Sequence, residues 1–303
     1  MLSETYSISS KQRYSWSRVC RVWRIPRSTV YAWRQRRRVS GTLVKRRGRH
    51  PWINDEDLVA AMRTVLTRAT PASFHGEGYR KVWARLRHQG LRADKDRIRR
   101  LMRQHDLLAP VRGGPSNGPR VHDGTIIPMA PNLMWGTDAT ATWTRHQGQV
   151  TVFAVLEHFT GECLGIHAAK YGSRHEALEP IRQAVKRVFG VYERKVANGL
   201  LVRHDHGSQY ISHDFQAELG FLGLESSPSF VRSPEGNGVI ERFFRTLKEQ
   251  LLWLREYDDE EALRQALYEF RDRYNAHWIM QRHGYQTPQQ VREEWDRKLK
   301  MVS

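Results

Sequence analysis

Apolar positions recur every three to four residues through the first third of the chain and then gather into short, nearly continuous runs from about residue 132 onward. That change of period divides the molecule. Before it, residues 15–23 read as a short helix with Val19, Val22 and Trp23 apolar. A second helix begins at Ser28 as its N-cap, with Val30 and Trp33 facing inward, after Arg24-Ile25-Pro26-Arg27. Two short helices around a tight turn predict a helix-turn-helix, with an ordinary helical hairpin as the alternative. Asn54-Asp55-Glu56-Asp57 opens the next helix with acids in its first turn, and Leu58, Met62, Val65 and Leu66 form its stripe. Residues 79–87 are again helical. Gly90 stops them, and Asp94 starts a further helix through Ile98, Leu101 and Met102, giving a second helix-turn-helix candidate.

A stretch rich in breakers follows, with Pro110, Gly113, Gly114, Pro115, Gly118, Pro119, Pro128 and Pro131. Beyond it come three strands, at 133–138, 149–159 and 163–169, that predict an antiparallel meander. Ser173-Arg174-His175-Glu176 forms a capping box for an amphipathic helix through Ile181, Val185 and Val188. Residues 200–202 make a short core strand that ends at His204-Asp205-His206-Gly207. A helix from about Ser212, a strand at 224–227 and a turn at Ser233-Pro234-Glu235-Gly236-Asn237-Gly238 lead to a helix with Ile240, Phe243, Phe244, Leu247 and Leu251 on one face. The expected chain is multi-domain, with an all-α helix-turn-helix N-terminal region and an α/β ribonuclease-H-like core. The expected boundaries are 1–50 for the first helix-turn-helix and basic linker, 51–112 for the second helical domain, 113–131 for a linker, 132–255 for the core and 256–303 for a helical C-terminal region.

Charge sharpens this division. Of the formal charge of +18, residues 1–112 hold 27 Lys and Arg against 8 Asp and Glu, while the remaining residues are nearly balanced. Basic residues interleaved with Trp and Leu at helical spacing point to a folded nucleic-acid-binding region, with Arg36-Arg37-Arg38 and Lys45-Arg46-Arg47-Gly48-Arg49 as a basic linker; an acidic membrane surface is the weaker alternative. Arg27, Ser28, Thr29 and Arg34 on the first recognition helix, and Arg97 and Arg100 on the second, are candidate DNA contacts. Only Cys20 and Cys163 are present, too few for a disulfide framework. No apolar run is long enough to span a membrane and the N-terminus lacks a signal-peptide pattern, which predicts a cytoplasmic protein with no membrane partner.

Asp138 and Asp205 both follow hydrophobic strands, and Glu241 leaves the start of a helix. Any one of them alone reads equally well as a cap or an ion-pair partner. Together they place three hard oxygen ligands on rigid elements at one rim of a sheet, a set suited to Mg²⁺ or Mn²⁺. A pair of such ions stabilises both oxygens of a phosphodiester displacement. At 100° per residue Arg245 and Lys248 share the Glu241 edge of the helix, where they suit a metal-bound phosphate. His204 and His206, placed on a strand, would point away from Asp205; His206 still stands near enough to touch substrate, and a zinc or di-iron centre lacks a second ligand group of matching spacing.

Trp135-Gly136-Thr137-Asp138-Ala139-Thr140, His204-Asp205-His206-Gly207-Ser208-Gln209-Tyr210 and Asn237-Gly238-Val239-Ile240-Glu241-Arg242-Phe243-Phe244-Arg245-Thr246-Leu247-Lys248 resemble the transposases of bacterial insertion sequences that share the retroviral-integrase core. The resemblance is closest to the second-reading-frame product of the largest such family. Asp205 and Glu241 are separated by 35 residues, the spacing that family shows, and Lys248 lies seven beyond Glu241. Tyr274-Asn275 and Arg282-His283-Gly284-Tyr285-Gln286-Thr287-Pro288 resemble its C-terminal signature. The resemblance implies that Asp138, Asp205 and Glu241 hold the metals and that Lys248 contacts the DNA end. It further implies a nucleoid-associated enzyme that binds terminal inverted repeats, acts as a homo-oligomer on element and target DNA, and has an upstream-frame protein as an additional partner. The chain departs from the family at Gly236, at His206 and at Glu157, where an Asp, an Arg and an Asp are usual. A DNA-binding regulator with an inactive core, and a stand-alone nuclease, are the alternative functions.

Overall fold

The structure, a computed structural model, describes residues 11–40, 52–67, 74–110, 128–229 and 238–302. The Lys45–Arg49 basic run, most of the expected linker and the Ser233–Asn237 turn lie outside them. The chain divides into two compact units, residues 1–52 and 53–303.

In the first unit α1 (Trp16–Val22) is capped by Ser15, whose hydroxyl accepts from the Arg18 amide. The following helix, α2, spans Arg27–Ser40. It starts one residue earlier than the sequence predicts: the Thr29 amide donates to the Pro26 carbonyl, so Pro26 precedes the helix and Ser28 lies inside its first turn. Proline at such a position costs no hydrogen bond and presets φ. Cys20 and Val30 are buried, whereas Trp33 is 40% exposed rather than inward-facing.

In the second unit, α3 (Asp55–Leu66), α4 (Tyr79–His88) and α5 (Lys95–Gln104) close around Leu58, Met62, Val82, Leu86, Ile98 and Met102. The N-caps Asn54 and Asp94 each accept a backbone amide of the first turn. This bundle docks on the α/β part. Gln250 spans the junction by accepting from the His75 amide and donating to the His75 carbonyl, both at 2.7 Å. Arg85, held by Glu77, also donates to the His277 carbonyl, and Trp83 packs on Tyr285.

The α/β part contains a five-stranded sheet in the order β3-β2-β1-β4-β5. β1 (Met134–Thr144), β2 (Gly148–Glu157) and β3 (Cys163–Ala169) form the predicted meander, and β4 (Leu200–His204) and β5 (Leu224–Pro228) add parallel to β1. One face is covered by α6 (Arg174–Phe189), α7 (Ser208–Ile211) and α8 (His213–Leu222). The other is covered by α9 (Gly238–Leu247), a π-helical turn at Lys248–Leu252 and α10 (Glu260–His277). This three-layer topology is the ribonuclease-H-like fold. Gly165 sets how near α6 comes to the sheet, because a Cβ there would stand 2.0 Å from the Pro180 carbonyl oxygen. Only half of the predicted capping box forms: Ser173 accepts from the Glu176 amide, but the Glu176 carboxylate is taken by His167 at 2.6 Å.

The C-terminal signature fastens the sheet edge. Asn275 accepts from the Cys163 amide and donates to the Cys163 carbonyl, both at 2.8 Å. Arg282 and His283 donate to the Phe159 carbonyl, and α11 (Pro288–Val302) follows a reciprocal Thr287–Gln290 cap. Among the described residues no helix is long and apolar enough to cross a membrane.

Candidate active site

β1 is longer than its apolar run, because Ala139-Thr140-Ala141-Thr142 continue to pair with β2 although they are small or polar. Asp138 therefore lies within the strand rather than at its end. What makes it a rim residue is its other neighbour. β4 pairs with β1 only as far as Gly136 opposite Arg203, so Asp138 stands just past the last parallel rung. Continuing that register by two residues sets Asp205 opposite Asp138, roughly one strand spacing of 4.8 Å away.

Alternation along each strand aims both acids the same way. Trp135 and Val202 point into the core beneath α6 and α8, and so does His204, which stacks on Tyr210. Asp138 and Asp205 thus face the α9 layer. Glu241, in the first turn of α9, lines one cavity of about 350 Å³ together with Asp138, Ala139, Thr140, Phe244, Arg245, Lys248 and Trp253. The α9 stripe, with Ile240, Phe243 and Leu247 buried, keeps the Glu241 edge turned outward.

Electrostatics in this space are strained toward negative charge. Burial, reinforced by the Asp205 and Glu241 carboxylates, pushes Asp138 up to about 6. The Ala139 amide, which donates to Asp138 Oδ1 at 2.7 Å, and the Lys248 ammonium work in the opposite direction. Asp205 is exposed and accepts from the Gly207 amide at 2.9 Å, which fixes the turn after β4. The donor set is all carboxylate oxygen and carries like charges that a divalent cation would neutralise. Among the described residues no three His, Cys, Asp or Glu side chains are gathered closely enough to hold a metal ion as they stand.

Other predicted residues fall in different places. His204 alone is on the strand; His206 lies in the exposed turn beyond it, its Nε2 donating to the Ser229 carbonyl at 2.9 Å. Arg245 reaches Glu249 at 3.1 Å while lining the cavity. In the first unit Arg27 and Ser28 are exposed and Thr29 half-buried, whereas Arg34 is stacked over Trp16. Arg97 differs from its expected role. It donates to Asp55 and to the Ile53 carbonyl, tying α5 to the start of α3, and its side chain is 16% exposed. Arg100 beside it is half-exposed and also reaches Asp55, at 3.3 Å. Glu157 is fully buried and accepts from the amides of Asn132, Phe159 and Thr160, so it organises the β2–β3 turn; burial raises its pKa. Sequence reasoning missed Trp253, whose only signal is an aromatic residue in the apolar run that follows α9.

Comparisons with known proteins find integrase core and HTH-like domains in this chain. Integrase core domain families match residues 128–234 and 222–288, and an HTH-like domain matches residues 54–114. Similar proteins include the transposase InsD for insertion element IS2A/D/F/H/I/K of Escherichia coli, 27% identical over 264 residues that cover 84% of this chain and 83% of the relative. The transposase InsD for insertion element IS2-9 of E. coli strain K12 is also 27% identical, with 82% of the relative covered. Among solved structures, the catalytic core domain of BIV integrase is 20% identical with a TM-score of 0.42, covering 55% of this chain and 97% of that one. The HTLV-2 integrase catalytic core in complex with magnesium is 19% identical with a TM-score of 0.39, covering 54% and 97%.

Proposed function

We propose that this chain, which carries an integrase core domain and an HTH-like domain and is homologous to InsD transposases, is itself a DNA transposase. It binds the terminal inverted repeats of its mobile element and carries out metal-dependent strand cleavage and strand transfer. The observation that carries this reading is that Asp138, Glu241 and Lys248 line one cavity, with the Asp205 carboxylate near enough to raise the pKa of Asp138.

Asp138, Asp205 and Glu241 fit a divalent cation by their hard oxygen atoms and their accumulated charge, and they are the residues that would hold it. When bound, Mg²⁺, or Mn²⁺ in its place, supplies Lewis acidity to the phosphodiester, with two ions per site as the expected number. Lys248 and Arg245 hold the DNA phosphate against the carboxylates. Asp138 stands on β1 and Asp205 directly follows β4, where the Gly207 amide fixes its carboxylate, so both are held close to rigid elements and need little reorganisation during reaction. His206 contacts DNA from the exposed turn. Arg27, Ser28, Thr29 and Arg34 on α2, and Arg100 on α5, bind element-end DNA, consistent with the basic excess of the first third of the chain. Two ends must be held together for transfer, so the active species is a homo-oligomer on DNA. It works in the bacterial cytoplasm at the nucleoid, with an upstream-frame protein as a further partner.

The test mixes the full chain and Mg²⁺ with duplexes carrying the element ends and a target plasmid, scoring cut and joined products separately. Cleavage that frees a 3′-hydroxyl, followed by joining of that end, is the expected result. Cutting that never leads to joining would make the protein a nuclease, and binding without cutting in any metal would make it a regulator.

A further inference from the structure

The cavity that Asp138 and Glu241 line is bordered by an exposed aromatic side chain. Trp253 is 70% exposed, although a large apolar ring gains from being covered. It borders the same space as Asp138, Glu241 and Lys248, and the space between is floored by Ala139, Thr140 and the buried Phe244.

The backbone brings the ring there. A continuous α-helix would turn Trp253 about 120° away from Glu241. The π-helical turn at Lys248–Leu252 advances less than 100° per residue, which rotates Trp253 back toward the Glu241 edge. Its amide donates to the Lys248 carbonyl at 2.9 Å, so the ring projects from fixed backbone.

We propose that Trp253 is a stacking platform for an unpaired nucleobase next to the phosphodiester that reacts. This inference rests on the transposase reading given above. The occupant follows from the chemistry of the two walls. A nucleotide presents a flat π-face and a phosphate a few ångströms apart, and the cavity presents an exposed indole beside Lys248 and Arg245. Inside a duplex the base faces are covered by their neighbours, so the base that lies on Trp253 has left the stack. The floor supplies few groups able to read a base edge, so the contact accepts different bases and acts on position rather than sequence.

The experiment uses the full chain with Mg²⁺ and element-end duplexes carrying 2-aminopurine at each position flanking the reacting phosphate, one at a time. Wild type is expected to quench the probe at one position. Trp253→Ala should abolish that quenching and slow cutting about 5- to 150-fold, the range that one base–aromatic stack spans. Trp253→Phe should retain both, and DNA affinity should fall less than the cutting rate in the alanine variant. Equal quenching and cutting in wild type and Trp253→Ala would overturn the proposal. So would a Trp253→Ala change in oligomeric state without DNA, which would make the ring a self-association surface. An active wild type with no quenched position removes the stacking alone, whereas a wild type that cuts nothing removes the reading beneath it.

Discussion

Replacing Asn275 by alanine should destabilise the α/β part without touching the carboxylates. Asn275 is 2% exposed and serves both the amide and the carbonyl of Cys163. Cys163 begins β3, an edge strand, next to a register shift at Val155/Leu156 that interrupts normal pairing with β2. The side chain thus substitutes for a missing strand at the point where the ladder is weakest. Alanine strands two buried backbone groups at about 1–3 kcal/mol each, and the released ordering cost of the asparagine side chain returns about 1 kcal/mol. A net loss of about 3 kcal/mol follows. For a unit of this size each kcal/mol moves the melting midpoint by about 2–4 °C, so the expected drop is roughly 6–12 °C. Thermal unfolding followed by circular dichroism measures it, with Gln289→Ala on the exposed face of α11 as the surface control. An Asn275→Ala midpoint within about 2 °C of that control would refute the reasoning.

Gly165→Ala should cost at least about 3 kcal/mol, since its Cβ would meet the Pro180 carbonyl at 2.0 Å and α6 must move; a urea midpoint equal to wild type would contradict the close approach. Without divalent metal, Asp138→Asn should stabilise the protein at pH 8 and do nothing below about pH 3.8. Between an unfolded value near 3.8 and a native value of about 6 the unfolded chain releases a proton that the native state keeps. Stability therefore falls as pH rises through that window, by roughly 3 kcal/mol in all; a gain from Asn that is the same at pH 4 and pH 8 in denaturant titrations would count against it. Arg100→Ala should weaken element-end binding and lower its salt dependence, and, because its contact with Asp55 is exposed and 3.3 Å long, should cost less than about 1 kcal/mol of stability. Arg97→Ala should instead lower stability by about 1–2 kcal/mol through the loss of its Asp55 tie; the opposite pattern in paired binding and melting measurements would reverse the assignment.

The parts of this molecule that were legible in its sequence are those set by local hydrophobic period and by acids placed beside it. The meander, the strands β4 and β5 and the buried stripe of α9 follow from such patterns, whereas the parallel pairing of β4 and β5 with β1 does not. The far half of β1 was not legible, because Ala139 to Thr144 lacks an apolar run and is a strand only through its pairing with β2. The π-helical turn has no sequence signature, and with it Trp253 was missed. Long-range ties were equally hidden. Gln250 meets His75 across 175 residues, and Arg97, expected to contact DNA, is tied to Asp55 on α3. The C-terminal signature was visible as a resemblance, but its reason, an asparagine completing the edge of β3, is a property of packing.

The account depends most on three carboxylates acting as one site. The direct measurement is cleavage of element-end DNA by wild type, Asp138→Asn, Asp205→Asn and Glu241→Gln, each with Mg²⁺ and with EDTA, alongside DNA affinity for every variant. The account predicts metal-dependent cutting by wild type alone, with each substitution lowering the rate by at least about a hundredfold while DNA affinity holds. Cutting that survives any one of the three substitutions, or that proceeds unchanged in EDTA, would contradict it.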